Sequence, residues 1–515
     1  MSADGLFLTG GPGSARMLEQ AAAQVATAVG RWAARPDADG PWPGTDPDRL
    51  AAAVAALDVC PDDGAGLQGA LDALGPLLLG HGLDTTHPAC LAHLHSPTLL
   101  PAAAAELAVG ATNQSMDSFD QAPVATLAED HLVRWLAGLL GLPAGASGVM
   151  TAGGTASNTL GLVLARRRAA ARLGVDVAEQ GTSGLAHLRI LTSAAAHVSV
   201  VQAADLLGLG RRAVVVVDVD GAGRMDLGSL DRALAALAAR DEVPMAVVAT
   251  AGTTDLGALD PLAAVADRAA ARGAWLHVDA AVGSALALSA RLAPRLDGLD
   301  RADSVTADLH KLWWQPIGAS ALLVRDAAAF AGMRARDDYL NRADDPVEGP
   351  PNLVTRSLDT SRRFDALKVL VSLRAVGRRR LAAMVEHLVD LAADAAGQVR
   401  ARSDLDLLAE PSTVMVAFRW AGAGLGADAC DRVNVATQRA LFASGRAVVG
   451  RTRVRGRVAL KLTLVNPTLD RSDVAAVLDL VEDEARRQAA AQDDPGARPA
   501  PDPVDRVDPV PAVRA

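Results

Sequence analysis

Only three of the 50 basic residues in this 515-residue sequence are lysines: Lys311, Lys368 and Lys461. Arginine keeps its proton in a protein, whereas a lysine amine can shed it, and a neutral amine is what condensation with an aldehyde requires. Lys311 stands in DSVTADLHKLWW, just after an apolar run and beside His310 and two tryptophans. Apolar neighbours there would disfavour its ammonium form and suit an imine-forming role; a surface lysine is the alternative. HVDAA puts Asp279 at the end of another apolar run, ready either to pair with a cationic ring nitrogen or to cap the next helix. In AGGTASN, residues 152–158, two glycines let the backbone approach an anion. Thr155 adds a hydroxyl, and the following helix aims its positive end at the turn. His197, after LRILTS, offers a flat ring face for stacking, or a purely structural role.

These residues need a scaffold that brings strand ends together. Apolar runs alternate with helical patterns: LRILTS then HVSVVQAADLLG, AVVVVDVD then LGSLDRALAALAAR, PMAVVATAG then DPLAAVADRAAARG, WLHVDA, DSVTAD and SALLVRD. Such alternation implies a mostly parallel sheet covered on both faces. Asp260 followed by Pro261 predicts an N-cap and first helical residue. Before this region, Ala- and Leu-rich helical patterns broken by RPDADGPWPGTDPD and GHGLDTTHP predict an N-terminal helical arm over 1–111. The α/β domain then spans 112–375. Helix and the strand candidates TVMVAFRW and VALKLTLV over 376–490 predict a smaller α+β domain, and the Pro- and Asp-rich 491–515 a disordered tail.

Composition limits the function classes. A formal net charge of -10 argues against a nucleic-acid groove or a polybasic membrane anchor. Three scattered cysteines without CxxC spacing encode neither a disulfide framework nor a zinc site, so no metal is expected and a reducing cytoplasm fits. No leader-like or membrane-spanning pattern is seen, and the core must be mostly Ala, Val and Leu.

An anion-binding turn, a carboxylate and an imine-forming lysine at successive strand ends meet the needs of pyridoxal 5'-phosphate. From about His87 to Pro467 the collinear series HP, AHLH, NQSMDSFDQAP, GGTASN, AHVSV, VVATAGTTDLGALDP, LHVDAA, DSVTADLHK, SRRFDALK and LKLTLVNP resembles the group II pyridoxal-phosphate-dependent amino-acid decarboxylases. Within them it is similar to the bacterial diaminobutyrate and lysine decarboxylases. The resemblance implies an α/β, aspartate-aminotransferase-like fold of type I, with a large mixed, mostly parallel sheet domain and a small C-terminal α+β domain. It also implies a homodimer with active sites at the subunit interface.

By that resemblance Lys311 is the lysine that carries the cofactor aldehyde, Asp279 the pyridinium partner and His197 the stacking histidine. Gly154 and Thr155 belong to the phosphate cradle, Ala281 packs under the ring, Thr250 lies near the cofactor, and His310 precedes the lysine. The activity implied is decarboxylation of an L-amino acid, a diamino acid such as 2,4-diaminobutyrate, lysine or ornithine, to the amine and carbon dioxide. Aldehyde formation, transamination, or a glutamate or aromatic substrate are the other activities open to this fold.

The sequence departs from the family in several places. Val282, Gly283 and Ser284 follow HVDAA where many relatives have an aromatic and two glycines. Asp308 stands where aromatic and glutamate decarboxylases carry an asparagine near the phosphate. Leu353 falls where the aromatic enzymes keep a loop tyrosine implicated in protonation. Asp117 and Asp120 flank Phe119 where those enzymes have larger apolar residues, so either acid would suit a distal ammonium in the partner subunit's site; helix capping or solvent exposure is the other reading.

Overall fold

The structure, a computed structural model, describes residues 6–8, 10–11, 13–33, 39–333, 352–422 and 424–492. These form two compact units: the described residues of 1–97, 397–408 and 418–497 make one, and 98–396 with 409–417 make the other.

In the first unit α1 (Ser14–Ala28), α2 (Pro47–Ala55) and α3 (Gly66–Leu78) precede β1 (Cys90–Leu91), a two-residue strand inside the expected helical arm. Asp46 caps α2 by accepting from the N–H groups of Asp48 and Arg49, and Pro47 at the first position gives up no needed donor.

The second unit opens with α4 (Leu100–Thr112) and α5 (Pro123–Leu139). Then come β2 (Ser147–Thr151), α6 (Gly154–Arg172), α7 (Val177–Gln180), β3 (Leu188–Ser193), α8 (Ser199–Leu206), β4 (Val214–Val217) and α9 (Leu227–Ala239). The unit continues with β5 (Val243–Thr250), α10 (Leu262–Ala271), β6 (Trp275–Asp279), β7 (Ser304–Asp308), β8 (Ser320–Val324), α11 (Ala366–Val376) and α12 (Arg378–Arg400), which runs on into the other unit. The seven strands form one sheet in the order β2-β8-β7-β6-β5-β3-β4. β3 pairs in parallel with β4 and β5, β5 with β6 and β6 with β7, while β8 runs antiparallel to both neighbours. The sheet is therefore mixed and mostly parallel, as the alternation of runs implied.

Its strands are rich in β-branched and apolar residues because both faces are covered, and the polar side chains they carry, such as His277, Ser304 and Thr306, are buried as well. Helix α6 lies on one face with Ser157 through Ala165 all buried. Gly161 permits that approach: a Cβ there would stand 2.7 Å from Nδ1 of His277 on β6.

The segment SRRFDALK is held by ion pairs. Arg362 Nη1 reaches both oxygens of the fully buried Glu129 at 2.8 and 3.0 Å. Lys368 Nζ, also fully buried, lies 2.6 Å from Glu106 and 3.0 Å from Asp365. These contacts fix the start of α11 against α4 and α5, and removing one partner of such a pair costs about 3–5 kcal/mol.

The first unit is completed by β9 (Leu405–Leu407), β10 (Met415–Trp420), α13 (Ala427–Ala443), β11 (Val448–Val454), β12 (Arg457–Thr463) and α14 (Arg471–Gln492), with a sheet ordered β1-β11-β12-β10-β9. Strands β10 and β12 match the two candidates read from sequence. β1, β9 and β11 were not expected: the first two are very short, and Gly450, Arg451 and Arg453 break the apolar pattern of the third. The expected disordered tail falls, from residue 493 onward, outside the described residues.

Asp260 corrects one expectation. Helix α10 starts at Leu262 with Pro261 as its N-cap, while the Asp260 carboxylate turns inward to accept from the N–H groups of Met225 and Thr250, each at 2.7 Å. Burial pushes this carboxyl up to about 6, against the pull of the two donors. Asp260 thus ties down the end of β5 instead of starting a helix.

Candidate active site

The register of the sheet gathers the sequence-predicted residues at one edge. Thr250 pairs with Asp279 and Asp279 with Thr306, while Ser320 pairs with both Asp308 and Thr151. Gly154 opens α6 three residues beyond Thr151, and His197 lies two residues before α8. The carboxyl edge of parallel strands is where open α/β sheets place ligands.

Lys311 sits in a tight turn after β7. Trp314 N–H donates to the Lys311 carbonyl at 3.2 Å and Gln315 N–H to the Leu309 carbonyl at 3.1 Å. Gln315 Nε2 ties the turn to Trp313 O and Ser372 Oγ. Trp314 adopts φ +54°, in the left-handed region that residues with side chains rarely occupy, so the surrounding packing must enforce the turn. The two tryptophans are buried in the core, and the lysine faces a carboxylate: Nζ lies 2.9 Å from Oδ2 of the buried Asp308. A buried carboxylate thus stands beside the amine, where the sequence pointed to apolar neighbours.

Asp279 is almost completely buried and accepts two hydrogen bonds, from Ala281 N–H at 3.1 Å and from Asn158 Nδ2 at 2.8 Å. Asn158 is the hub of a chain that sequence reading missed. Its second Nδ2 bond goes to Ser199 Oγ at 2.9 Å, and its Oδ1 accepts from Thr306 Oγ1 at 2.6 Å and from His277 Nε2 at 2.9 Å. Ser304 Oγ accepts from Trp275 Nε1 and donates to His277 Nδ1. Because the Ser199 N–H points at His197 Nδ1, that nitrogen accepts, also from Ser199 Oγ, and the His197 proton resides on Nε2. The signal was present in the period of each element: His277 is two residues before Asp279 on one strand face, and Asn158 is one helical turn beyond Gly154.

Burial lowers the imidazole of His277 to about 4, so it is neutral here. Its ordinary value is 6.5, so the unfolded chain takes up the proton first as pH falls. Stability tied to His277 is complete above about 6.5 and is lost as pH drops toward 4, by roughly 3 kcal/mol in all. His277→Asn should therefore be less stable than the wild type at neutral pH, by a margin that narrows on acidification. Thermal unfolding of both proteins across this range tests it; a constant gap would contradict a buried neutral histidine.

The remaining predicted residues take their places around this edge. Ala281 is buried, His310 Nδ1 donates to the Ala319 carbonyl at 2.9 Å, and Thr155 is exposed in the first turn of α6. Asp117 and Asp120 are not brought to this edge by any contact described. Asp117 accepts from the hydroxyls of Ser115 and Ser361 and Asp120 from Ser118. Neither caps α5, whose N-cap is Ala122. Leu353 is buried in a short 3-10 turn.

Among the described residues, three buried side-chain oxygens at the ends of β3, β5 and β7 find no hydrogen-bond partner: Ser193 Oγ, Thr250 Oγ1 and Asp308 Oδ1. Buried polar atoms are seldom left so, and these mark an edge that a polar ligand completes.

A family model, the pyridoxal-dependent decarboxylase conserved domain, matches residues 76–421. The chain belongs to this family. It is 44% identical over 443 residues to the L-2,4-diaminobutyrate decarboxylase of Rhizobium meliloti (strain 1021), covering 86% of this chain and 87% of the relative. It is 38% identical over 434 residues to the protein of that name from Acinetobacter baumannii, covering 82% and 85%. Among solved structures it resembles the glutamate decarboxylase domain of a Vibrio parahaemolyticus diaminobutyrate-pyruvate transaminase and L-2,4-diaminobutyrate decarboxylase, with TM-score 0.85 and 36% identity over 94% of this chain and 99% of that one.

The fold is thus the type I α/β fold expected, and the enzyme is a pyridoxal-phosphate-dependent carboxy-lyase acting on an amino acid. The edge of this decarboxylase fits its cofactor: a lysine, a carboxylate fixed from two sides, a helix N-terminus and buried oxygens without partners among the described residues lie together. No helix among its described residues is long and apolar enough to cross a membrane.

Proposed function

We propose that the chain decarboxylates L-2,4-diaminobutyrate to the corresponding diamine and carbon dioxide, with Lys311, Asp279 and His197 as its catalytic residues. The observation that carries the site assignment is the convergence of Lys311, Asp279 and the Gly154 turn on one sheet edge; the similarity to two relatives of that activity favours the substrate. Pyridoxal phosphate, when bound, supplies the electron sink for the charge left behind by departing carbon dioxide. Gly154 and Thr155, at the positive end of α6, would hold its phosphate, and Thr250, Ala281 and His310 would complete the pocket.

The protein's own part is orientation and electrostatics. Asp279, held in place by Asn158 and by the Ala281 N–H, would be the partner of the cofactor's ring nitrogen. His197 presents its ring as a stacking face with a fixed tautomer. Lys311 anchors the cofactor and moves protons at its amine. The enzyme works as a cytoplasmic homodimer in this reading, and Asp117 or Asp120 of one subunit reaches the partner's site to pair with the distal ammonium of the substrate. Ser115 and Ser361 already orient Asp117, and Asp120 is exposed on its turn; a carboxylate oxygen can accept from a cation beside such hydroxyl donors.

Measuring carbon dioxide, ammonia and amine release from 2,4-diaminobutyrate, ornithine, lysine, glutamate and aromatic amino acids tests the assignment. Carbon dioxide and diamine in equal amounts, fastest from 2,4-diaminobutyrate, are expected; ammonia with aldehyde, or a preference for glutamate, would overturn it. Losing a hydrogen bond to a charged group costs about 1.5–3 kcal/mol. Asp117→Asn or Asp120→Asn, whichever residue meets the ammonium, should therefore lower kcat/KM for the diamino acid by roughly 10- to 100-fold. If both variants match the wild type, neither acid reads the substrate.

A further inference from the structure

The carboxylate of Asp308 sits where the cofactor's phosphate needs room. It is 2% exposed, and a Cβ added to Gly154 at the start of α6 would stand 2.9 Å from its Oδ2 and 3.1 Å from its Oδ1. Oδ2 pairs with Lys311 Nζ at 2.9 Å and lies 3.7 Å from His310 Nε2, while Oδ1 is buried without a partner among the described residues. An ionised carboxylate only accepts hydrogen bonds, and so does a phosphate. Two such anions pressed together repel unless a proton lies between them.

The ion pair already holds that proton. We propose that Asp308 takes the proton of Lys311 as the cofactor is captured and thereafter serves, as a neutral carboxylic acid, as a hydrogen-bond donor to the phosphate. The inference rests on the reading of this edge as the cofactor site. The transfer runs along the 2.9 Å contact from Nζ to Oδ2. It leaves a neutral amine at Lys311, the form that condensation with an aldehyde requires. The same step removes the negative charge that would oppose the phosphate. A protonated aspartic acid has the shape and a donor like those of the asparagine that aromatic and glutamate decarboxylases carry at this place, which explains how an acid is tolerated there.

The groups around Asp308 are compatible with this role. On its own turn His310 and Lys311 are titratable. On β6 the charged or titratable groups are Asp279 and His277, both engaged in the Asn158 chain. The first turn of α6, Gly154 to Ser157, and strand β8 bring no ionisable side chain.

Proton counting by calorimetry tests it, with the full-length apoprotein titrated with pyridoxal phosphate in buffers of different ionisation heat. Wild type should retain about one proton more on loading than Asp308→Asn, which must release the Lys311 proton to solvent. Asp308→Asn, still a donor, should bind within a few-fold of the wild type, whereas Asp308→Ala should bind about tenfold more weakly, the loss of one such bond. The difference infrared spectrum of the wild type on loading should gain a protonated carboxyl C=O band, absent in Asp308→Asn; this needs no variant to fold and separates Asp308 from His310 as the seat of the proton. Equal proton counts, or no carboxyl band, would overturn the proposal. Hydride trapping of the same wild-type sample distinguishes the two failures: an adduct on Lys311 with no carboxyl band sinks the proton transfer alone, and no adduct on Lys311 sinks the site reading.

Discussion

Lys311→Arg should lose decarboxylation by at least about 10³-fold, within the span that removal of a proton-transferring group costs, while still folding. Arginine keeps a cation against Asp308, so the buried carboxylate retains a partner, but its guanidinium cannot become a neutral nucleophile. Lys311→Ala should lose as much activity and also some stability, since it strands Asp308 in the interior. Borohydride reduction followed by peptide mass spectrometry should place the cofactor on Lys311 in the wild type and nowhere in either variant. A Lys311→Arg protein that retained a tenth of the activity, or an adduct on Lys368 or Lys461, would disprove the assignment.

Asp279→Asn should cost the next largest amount. Its carboxylate is held at the sheet edge by Asn158 and the Ala281 N–H, and replacing it removes a preorganised group of the kind worth about 10²- to 10³-fold in turnover. The substitution also turns an amide N–H toward a donor, either Asn158 Nδ2 or the Ala281 N–H. Asn158→Ala should lower turnover less than Asp279→Asn yet destabilise more, because Ser199, Thr306, His277 and Asp279 each lose a partner. An unsatisfied buried group costs about 1–3 kcal/mol. Turnover numbers beside thermal unfolding for the two variants check this ordering; an Asn158→Ala protein with native stability would show that the chain carries no weight.

Much of this was legible in the residues. Six of the seven strands of the large sheet are apolar runs visible in the sequence, β2 lying in a stretch that reads as turn-rich, and their order places Thr250, Asp279 and Lys311 at or just after strand ends. What was hidden depends on packing across the sequence. Asn158 and His277 lie 119 residues apart, and no local pattern announces their bond. The pairing of Lys311 with Asp308 was missed because Asp308 is three positions away in an apolar strand, and nothing in the string of letters says that its carboxylate bends back toward the amine. Asp260 misled because Asp-Pro is a sound helix-start signal that here yields to two inward backbone donors. β11 escaped because arginines break up its run.

The burial of all three lysines has a practical consequence. Lys368 is wholly enclosed, Lys461 is 7% exposed and Lys311 sits in its turn with a side chain 20% exposed. Every other basic side chain is a guanidinium, which amine-directed chemistry ignores. Stray aldehydes, acylating labels and lysine cross-linkers will thus find almost no lysine handles on the native surface. Immobilisation through lysine would fail or strike the working site, so a bench chemist wishing to tether or tag this enzyme would turn first to the exposed thiol of Cys60.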